Sequence, residues 1–453
     1  MNSIHAVILA AGKGTRMNSS KPKVLQPLAD QPLLGHVLAR ASEVADTRHV
    51  VYGFGGDEVQ AAFQDPSIHW VHQAEQLGTG HALIQAMPEI EDDAMVLVLY
   101  ADVPLIKQET LSLLIEKSQQ SGIGLLSVVV DDPTGYGRIV RNQQQAISAI
   151  VEHKDASDDE LNISEINTGM MALNAGLAKQ YLAQLDTNNA QGELYLTDVI
   201  ALAVADGQQV ASVIADNEDE VAGVNDKQQL AALERIYQQT LANQLMQDGL
   251  LLRDPSRFDC RGELTHGQDC EIDVNVLIEG QVNLGNNVTI APNCSIKNAK
   301  IGSNVSILPN SVIEDAIIED RASIGPFARI RPQAEIKAGA KIGNFVEVKK
   351  SVIGPGSKVS HLSYVGDTTM GQDVNIGAGV ITCNYDGVNK HQTIIEDGAF
   401  IGSDSQLVAP VTIEKNATIG AGSTITKLAP EEQLSLSRSK QLVMKNWQRP
   451  KKQ

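Results

Sequence analysis

Residues 318–348 read IEDRAS-IGPFAR-IRPQAE-IKAGAK-IGNFVE-V, with an aliphatic side chain at every sixth position: Ile318, Ile324, Ile330, Ile336, Ile342 and Val348. This period matches neither the α-helical repeat of about 3.6 nor the strand repeat of two. It has one physical reading. Each six-residue rung supplies one inward aliphatic, three rungs close a triangular coil, and stacked coils bury a continuous column. A β-sandwich would alternate with period two and could not hold this phase. The register extends upstream through Ile272, Ile278, Leu284, Ile290, Ile296, Ile301, Ile307 and Ile313, with a five-residue step at Ile301. Downstream it slips to Ile353, Val359, Val365, Met370 and Ile376, breaks for thirteen residues from Thr382 to Ile394, and resumes at Ile395, Ile401, Leu407, Ile413, Ile419 and Ile425. Gly, Asn and Asp beside the anchors suit corners where φ turns positive.

Upstream of about residue 250 the pattern changes. His5 to Ala10, His49 to Tyr52, Met95 to Tyr100 and Gly124 to Val130 read as buried strands, with Leu33 to Ala45 and Thr110 to Gln119 as intervening helices. This alternation predicts an α/β domain with a mainly parallel sheet. Asp226 to Asp248 carries Leu230, Leu233, Ile236, Leu241 and Leu245 at helical spacing and stops at Gly249. The expected organisation is therefore an α/β domain at 1–226, a helical linker at 227–248 and a β-helix at 249–453.

The length of 453 residues fits two to three domains of about 150 residues each. Aromatics at 4% beside 37 glycines suit a repetitive β architecture. The 36 Lys and Arg against 55 Asp and Glu leave a net charge of -19, which argues against nucleic-acid or membrane-surface partners. Cys260, Cys270, Cys294 and Cys383 form no CxxC pair and read as reduced thiols. With no basic-then-apolar leader and no apolar run of about 18 residues, the expected location is the cytoplasm.

Chemistry enters at Leu9-Ala10-Ala11-Gly12-Lys13-Gly14-Thr15-Arg16-Met17, followed by Lys21-Pro22-Lys23. Paired glycines after a strand let backbone N–H groups approach a phosphate, and a following helix start would add positive potential. The string is neither a dinucleotide fingerprint nor a Walker loop. It closely resembles the signature of sugar-nucleotide pyrophosphorylases, and further matches follow in order. These are Gln73, Gln76 to Ala82, Tyr100-Ala101-Asp102-Val103-Pro104-Leu105, Gly135 to Arg138, Val151 to Asp155, Asn167-Thr168-Gly169 and Gly223-Val224-Asn225. Joining a nucleoside triphosphate to a sugar-1-phosphate gathers negative charge, so Arg16 and Lys23 are expected on the triphosphate. The resemblance implies Mg²⁺ on Asp102 and Asn225. It implies nucleoside contacts from Leu9, Ala10, Ala11, Gly12, Gln73, Gly78 and Thr79, with Tyr100 and Ala101 beside them. Sugar contacts fall to Gly137, Glu152 and Asn167. Related members commonly carry Gly where Ala101 stands, so a backbone contact is expected to shift there.

The β-helix carries a second set: Arg329-Ile330-Arg331-Pro332, Gly343 to Lys350, His361 to Asp367, Asn375 to Gly379 and the loop Thr382-Cys383-Asn384-Tyr385-Asp386-Gly387. These strings resemble the acetyltransferase half of the bacterial bifunctional enzymes that make UDP-N-acetylglucosamine, and the resemblance then covers nearly the whole chain. It implies a left-handed parallel β-helix, a homotrimer and two reactions. Glucosamine-1-phosphate is acetylated from acetyl-CoA, and N-acetylglucosamine-1-phosphate is then uridylylated from UTP, feeding cell-wall and lipopolysaccharide synthesis. His361 matches the general base, an imidazole suited to taking a proton from an attacking amine. A backbone N–H at Gly377-Ala378-Gly379 would meet the oxyanion. Arg331 and Lys349 would hold the sugar phosphate. By resemblance Tyr364, Asn375, Asn384 and Tyr385 touch the sugar or the acetyl end of acetyl-CoA, while Ala378, Ser403, Ala421 and Arg438 line the coenzyme; the basic tail from Arg438 to Lys452, set in an acidic protein, reads either as a further contact for the anionic coenzyme or as a solvated terminal face. Transfer straight to an amine needs no thiol, so Cys383 is read as incidental. His361 and the interruption at 382–394 argue against a β-helix that only assembles or regulates a pyrophosphorylase.

Overall fold

The computed structural model describes every residue except Met1, Ala190, Lys451 and Gln453. The chain divides into two compact units, Met1–Tyr237 and Gln238–Gln453.

The first unit is built on one sheet. Its strands are β1 (Ile4–Ala10), β2 (Thr47–Tyr52), β3 (Ile68–His72), β4 (Met95–Tyr100), β5 (Ile123–Val129), β6 (Arg138–Arg141), β7 (Ile147–Val151), β8 (Glu165–Asn174) and β9 (Val210–Ile214). The order is β9-β5-β8-β4-β1-β2-β3, with the β6–β7 hairpin attached to β8. Helices Leu33–Val44, Thr79–Ala86, Gln108–Ser121, Ala175–Leu182 and Asp198–Ala205 accompany it. Two apolar clusters, one around Ile8, Leu97 and Leu114 and one around Val7, Val96 and Leu83, bury alternate residues of β1 and β4. That is why those strands read as unbroken apolar runs. The expected parallel pairing holds for β3-β2-β1-β4 and for β5-β9. It fails at β8, which lies antiparallel to both β4 and β5. A strand buried on both sides has no alternation to betray its direction.

The second unit is a parallel β-helix. Its inward residues stack by register, as in Ile272 on Ile290 and Ile290 on Ile307. Those pairings make coils of 18 and 17 residues, and the phase slips in the sequence mark the shorter coils. The corners form columns. Asn275, Asn293, Asn310, Phe327, Phe345 and Leu362 occupy equivalent corners of successive coils, all at positive φ between 47° and 61°. Asn tolerates that conformation, whereas Phe and Leu rarely adopt it. The interruption starts at Thr382, which takes an inward position stacked on Leu407. Its hydroxyl accepts a hydrogen bond from Gly366 N–H at 2.8 Å, satisfying the polar atom inside the column.

Helix Lys227–Gln247 spans the unit boundary. Leu233 packs with Met17, Leu28, Leu33 and Val224 in the first unit. Ala242 and Leu245 join the aliphatic column of the second.

Ile342 lies fully buried in that column, whereas the neighbouring Lys341 is exposed. Ile342→Ala is expected to destabilise the β-helix by about 2–5 kcal/mol, and Lys341→Ala by about 0.5 kcal/mol or less. Hydrogen-exchange protection of the coil strands measures both, and equal values would mean that the column does not carry the stability.

Candidate functional site

In the first unit the expected nucleotide residues converge at the C-terminal ends of β1 and β4, held side by side by Ala101 N–H bonding to Leu9 C=O at 3.1 Å. Leu9, Ala10, Ala11, Gly12, Lys23, Gln73, Gly78, Thr79, Tyr100, Ala101 and Asp102 all line one cavity of 270 Å³. Gln73 is buried and donates to Gly78 C=O at 3.3 Å. Thr79 Oγ1 accepts from Leu196 N–H at 3.2 Å. The Ala101 methyl is buried, so the group that replaces a hydrogen there packs into the wall. Burial, then the neighbouring Asp102 charge, push the Tyr100 phenol above its ordinary range and keep it protonated. Val24, Gln76, Ala82 and Glu193 also line the cavity and were not assigned from sequence. Glu193 arrives because Leu194 exchanges backbone hydrogen bonds with Leu77 and Gly80, a pairing without local signal.

The phosphate loop departs from expectation in one respect. No α-helix follows it directly; the chain makes two 3₁₀ turns, Thr15–Met17 and Lys23–Leu25, before the next α-helix, Leu33–Val44. Positive charge comes instead from side chains. Lys23 Nζ donates to Asp102 Oδ2 and, at 3.5 Å, to Asn225 Oδ1, while Arg16 donates to the same Asn225 oxygen at 2.8 Å. Asp102 and Asn225 are brought together because Val224 N–H bonds to Asp102 C=O at 2.9 Å.

A second cavity of 410 Å³ shares Tyr100 and Asp102 and adds Asn167 and Asn225. Asn167 sits at a register break in β8, where its Oδ1 accepts from Gly169 N–H at 2.9 Å. A side chain at Gly169 would collide with the Tyr100 ring, so glycine lets the strand close over the site. Gly137 likewise faces the Glu152 carboxylate. Burial raises the Glu152 pKa, with Asp155 adding to the shift and a Thr197 hydrogen bond opposing it.

In the second unit His361 ends strand Lys358–His361 and is exposed. Its Nδ1 lies 2.7 Å from Asn344 Oδ1, one coil earlier. With that oxygen as acceptor, Nδ1 carries the proton and Nε2 keeps its lone pair. Asn344 was not assigned from sequence. Ala378 follows His361 by the same 17-residue offset that stacks Lys358 on Asn375. Ser403 follows Ala378, and Ala421 follows Ser403, by the offsets of the next two coils. Asn344, His361, Ala378, Ser403 and Ala421 thus form one line beside a corner, rising about 4.8 Å per coil. Arg438 approaches it at Gly422. The tail around it is exposed, and Lys451 lies outside the described residues. Asn375 stacks on Lys358 rather than on His361. Gly377 and Gly379 N–H groups are spent on coil hydrogen bonds to Ile401 and Leu362. Of the expected oxyanion donors this leaves Ala378 N–H.

Beyond the Leu362 corner lie Arg331, Lys349, Tyr364 and Asn384. Arg331 is held by Glu347 at 2.6 Å, and Asn384 donates to Asp367 at 2.5 Å. The interrupting loop folds back on itself. Asp386 caps Val388 and Asn389 and pairs with His391 at 2.7 Å, which holds its carboxyl well below the usual range. Tyr385 bridges to Lys390. Lys390 lies against Lys349 and, with burial, lowers the Lys349 pKa. Lys390 is a further residue unassigned from sequence. Burial raises the Cys294 and Cys383 thiols, which disfavours a thiolate at either, and none of the four cysteines is in a disulfide.

Residues 6–160 match the MobA-like NTP transferase domain, and residues 298–332 and 392–427 match the bacterial transferase hexapeptide (six repeats). The chain is 66% identical over 452 residues to the bifunctional protein GlmU of Ruthia magnifica subsp. Calyptogena magnifica, covering 100% of both chains. It is 54% identical over 453 residues to that of Marinobacter nauticus, again covering 100% of both. A solved putative glucose-1-phosphate thymidylyltransferase of Bacillus anthracis overlaps 52% of this chain and 95% of its own at 19% identity and a TM-score of 0.44, a likeness that carries no argument. Full-length identity at this level, over both domains, means that the chain belongs to the bifunctional GlmU family and is an acetyltransferase and uridylyltransferase in one polypeptide.

Proposed function

We propose that residues 1–226 carry uridylyl transfer, residues 249–453 carry acetyl transfer, and the helix at 227–248 joins them, in a cytoplasmic homotrimer. The observation that supports two activities rather than one is the line of coil positions from Asn344 through His361 to Ala421. A β-helix that served only assembly would have no need of an imidazole oriented by Asn344 and followed by a row of small residues.

For acetyl transfer, the amine of glucosamine-1-phosphate attacks the thioester carbonyl of acetyl-CoA. Asn344 fixes the imidazole so that His361 Nε2 takes the amine proton. Ala378 N–H faces the developing oxyanion. Arg331, Lys349 and Lys390 hold the sugar phosphate, which relieves the repulsion between the two lysines. Tyr364, Asn384, Tyr385 and Asn375 position the sugar and acetyl group, and Ser403, Ala421 and Arg438 carry the coenzyme.

For uridylyl transfer, the phosphate oxygen of N-acetylglucosamine-1-phosphate attacks the α-phosphorus of UTP and pyrophosphate leaves. Arg16 and Lys23 neutralise the triphosphate. Leu9 to Gly12, Gln73, Gly78 and Thr79 hold the nucleoside beside Tyr100 and Ala101, while Gly137, Glu152 and Asn167 hold the sugar. Asp102 Oδ2 and Asn225 Oδ1, hard oxygen donors already facing one cationic atom, suit Mg²⁺, which when bound would offset charge on the phosphates.

The trimer reading rests on the corner beside His361. Phe327 and Phe345 stack at 5.2 Å and remain about half exposed, and Leu362 continues the ladder. Large apolar residues held at positive φ and facing outward fit a corner covered by a second copy. Sedimentation equilibrium should therefore return the mass of three chains.

A crossed assay tests the division of labour, following CoA thiol and pyrophosphate separately. His361→Ala should lower thiol release by about 10²–10⁴-fold and leave pyrophosphate release from supplied N-acetylglucosamine-1-phosphate unchanged. Asp102→Ala should do the reverse, losing about 10²-fold or more of uridylyl transfer. Loss of both activities in either variant would sink the assignment. Lys390→Ala should raise KM for glucosamine-1-phosphate about tenfold with little change in the coenzyme KM. An unchanged sugar KM would remove Lys390 from the phosphate site.

A further inference from the structure

Three imidazoles stand in a row across β1, β2 and β3, on the sheet face that also carries Val7, Val51 and Val71. His5 and His49 stack with ring centroids 5.3 Å apart, and His49 lies 5.0 Å from His69, its register partner on β3. Glu89 and Glu91 reach them from the segment after helix Thr79–Ala86. Glu89 Oε2 lies 3.7 Å from His49 Nδ1 and 3.8 Å from His69 Nδ1, and Glu91 Oε2 lies 3.7 Å from His5 Nε2.

The decisive atom is His49 Nδ1. The residue is 1% exposed, its Nε2 is hydrogen-bonded to His5 Nδ1 at 3.0 Å, and its Nδ1 is buried with no partner. A buried imidazole nitrogen aimed at a carboxylate beyond hydrogen-bond reach is an unmet demand in a well-packed sheet. The potential donor atoms of His49, His69 and Glu89 all lie within 4.8 Å of one another. Donors bound to one ion at about 2.0–2.2 Å sit roughly 3–4 Å apart, so small side-chain shifts close the set.

We infer that His49, His69 and Glu89 bind a divalent transition-metal ion of the Zn²⁺ class on the same sheet face as the nucleotide cavity but towards the opposite end of the strands. Two imidazoles and one carboxylate favour such an ion over Mg²⁺, which prefers oxygen alone. The outer groups fit the same role. Coordination through Nδ1 leaves the proton on His49 Nε2, which donates to His5 Nδ1, and His5 Nε2–H then faces Glu91. His49 lies level with Val7, three residues or about 10 Å before Ala10 along β1, and Asp102 lies beyond the end of β4, so the ion would be distinct from one at Asp102 and Asn225. Its consequence would be structural, tying three strands to the segment at 87–91.

The test uses the full chain, stripped with a chelator and kept in excess Mg²⁺ to occupy the oxygen site. Zn²⁺ is added against a chromophoric competitor, and Co²⁺ serves as an optical probe. The wild type should retain one Zn²⁺ per chain, show cobalt ligand-field bands without thiolate charge transfer, and melt about 5 °C higher with zinc. His69→Ala and Glu89→Gln, whose side chains are 53% and 58% exposed and whose replacement leaves the core intact, should each weaken retention by about tenfold or more and lose the bands. No zinc retained by the wild type, retention unchanged in both variants, or thiolate-to-cobalt bands would each overturn the site.

Discussion

The second unit depends on one constraint: every sixth side chain must point into a triangular column, and each coil must close in 17 or 18 residues. Register then repeats the same position in successive coils about 4.8 Å apart, so any row of side chains becomes a straight track. Asn344, His361, Ala378, Ser403 and Ala421 are such a row. The proposed acetyl-transfer site therefore needs few specialised residues. His361, the proposed base, is oriented by Asn344 one coil before, and the residues that follow it in the row are small.

The same constraint explains where the fold is irregular. A coil cannot lengthen without leaving register, so extra chain must leave the column entirely. The segment at 382–394 does so from Thr382, whose hydroxyl is satisfied by Gly366 N–H. Once outside, it organises itself around Asp386 and delivers Lys390 to Lys349. The strained corner at Phe327, Phe345 and Leu362 lies beside the row that runs from Asn344 to Ala421, where an Asn would have been the easier choice.

How much of this the sequence discloses follows from the range of the forces involved. The inward column is local and periodic, so its anchors, its phase slips and its interruption are all legible. The cavity in the first unit was legible because its residues cluster in short strings at strand ends. What escaped rests on contacts between distant segments. Asn344 matters only because a 17-residue coil sets it under His361, and Lys390 only because a loop folds back. Glu193 enters through backbone pairing with residues 77–80. The antiparallel direction of β8 is hidden by its burial on both faces, and the row His5, His49, His69 exists only through strand register.

Charge arranges both sites on one rule. The chain carries a net charge of -19 while every substrate of its two reactions bears phosphate. Salt screens that background over about 8 Å, so binding is decided by groups closer than this. Cations accordingly come in company: Arg16 with Lys23, and Arg331 with Lys349 and Lys390. Each group is poised differently. Lys23 is shared between Asp102 and Asn225, so its charge is partly met and those two oxygens are kept convergent. Arg331 is aligned by Glu347, whereas Lys349 and Lys390 repel one another. An anion entering between the lysines removes that repulsion as it binds. In the function proposed above, phosphate would be drawn to the acetyltransferase site by a repulsion between lysines that it relieves, and to the uridylyltransferase site by an ion pair that triphosphate and metal together would replace.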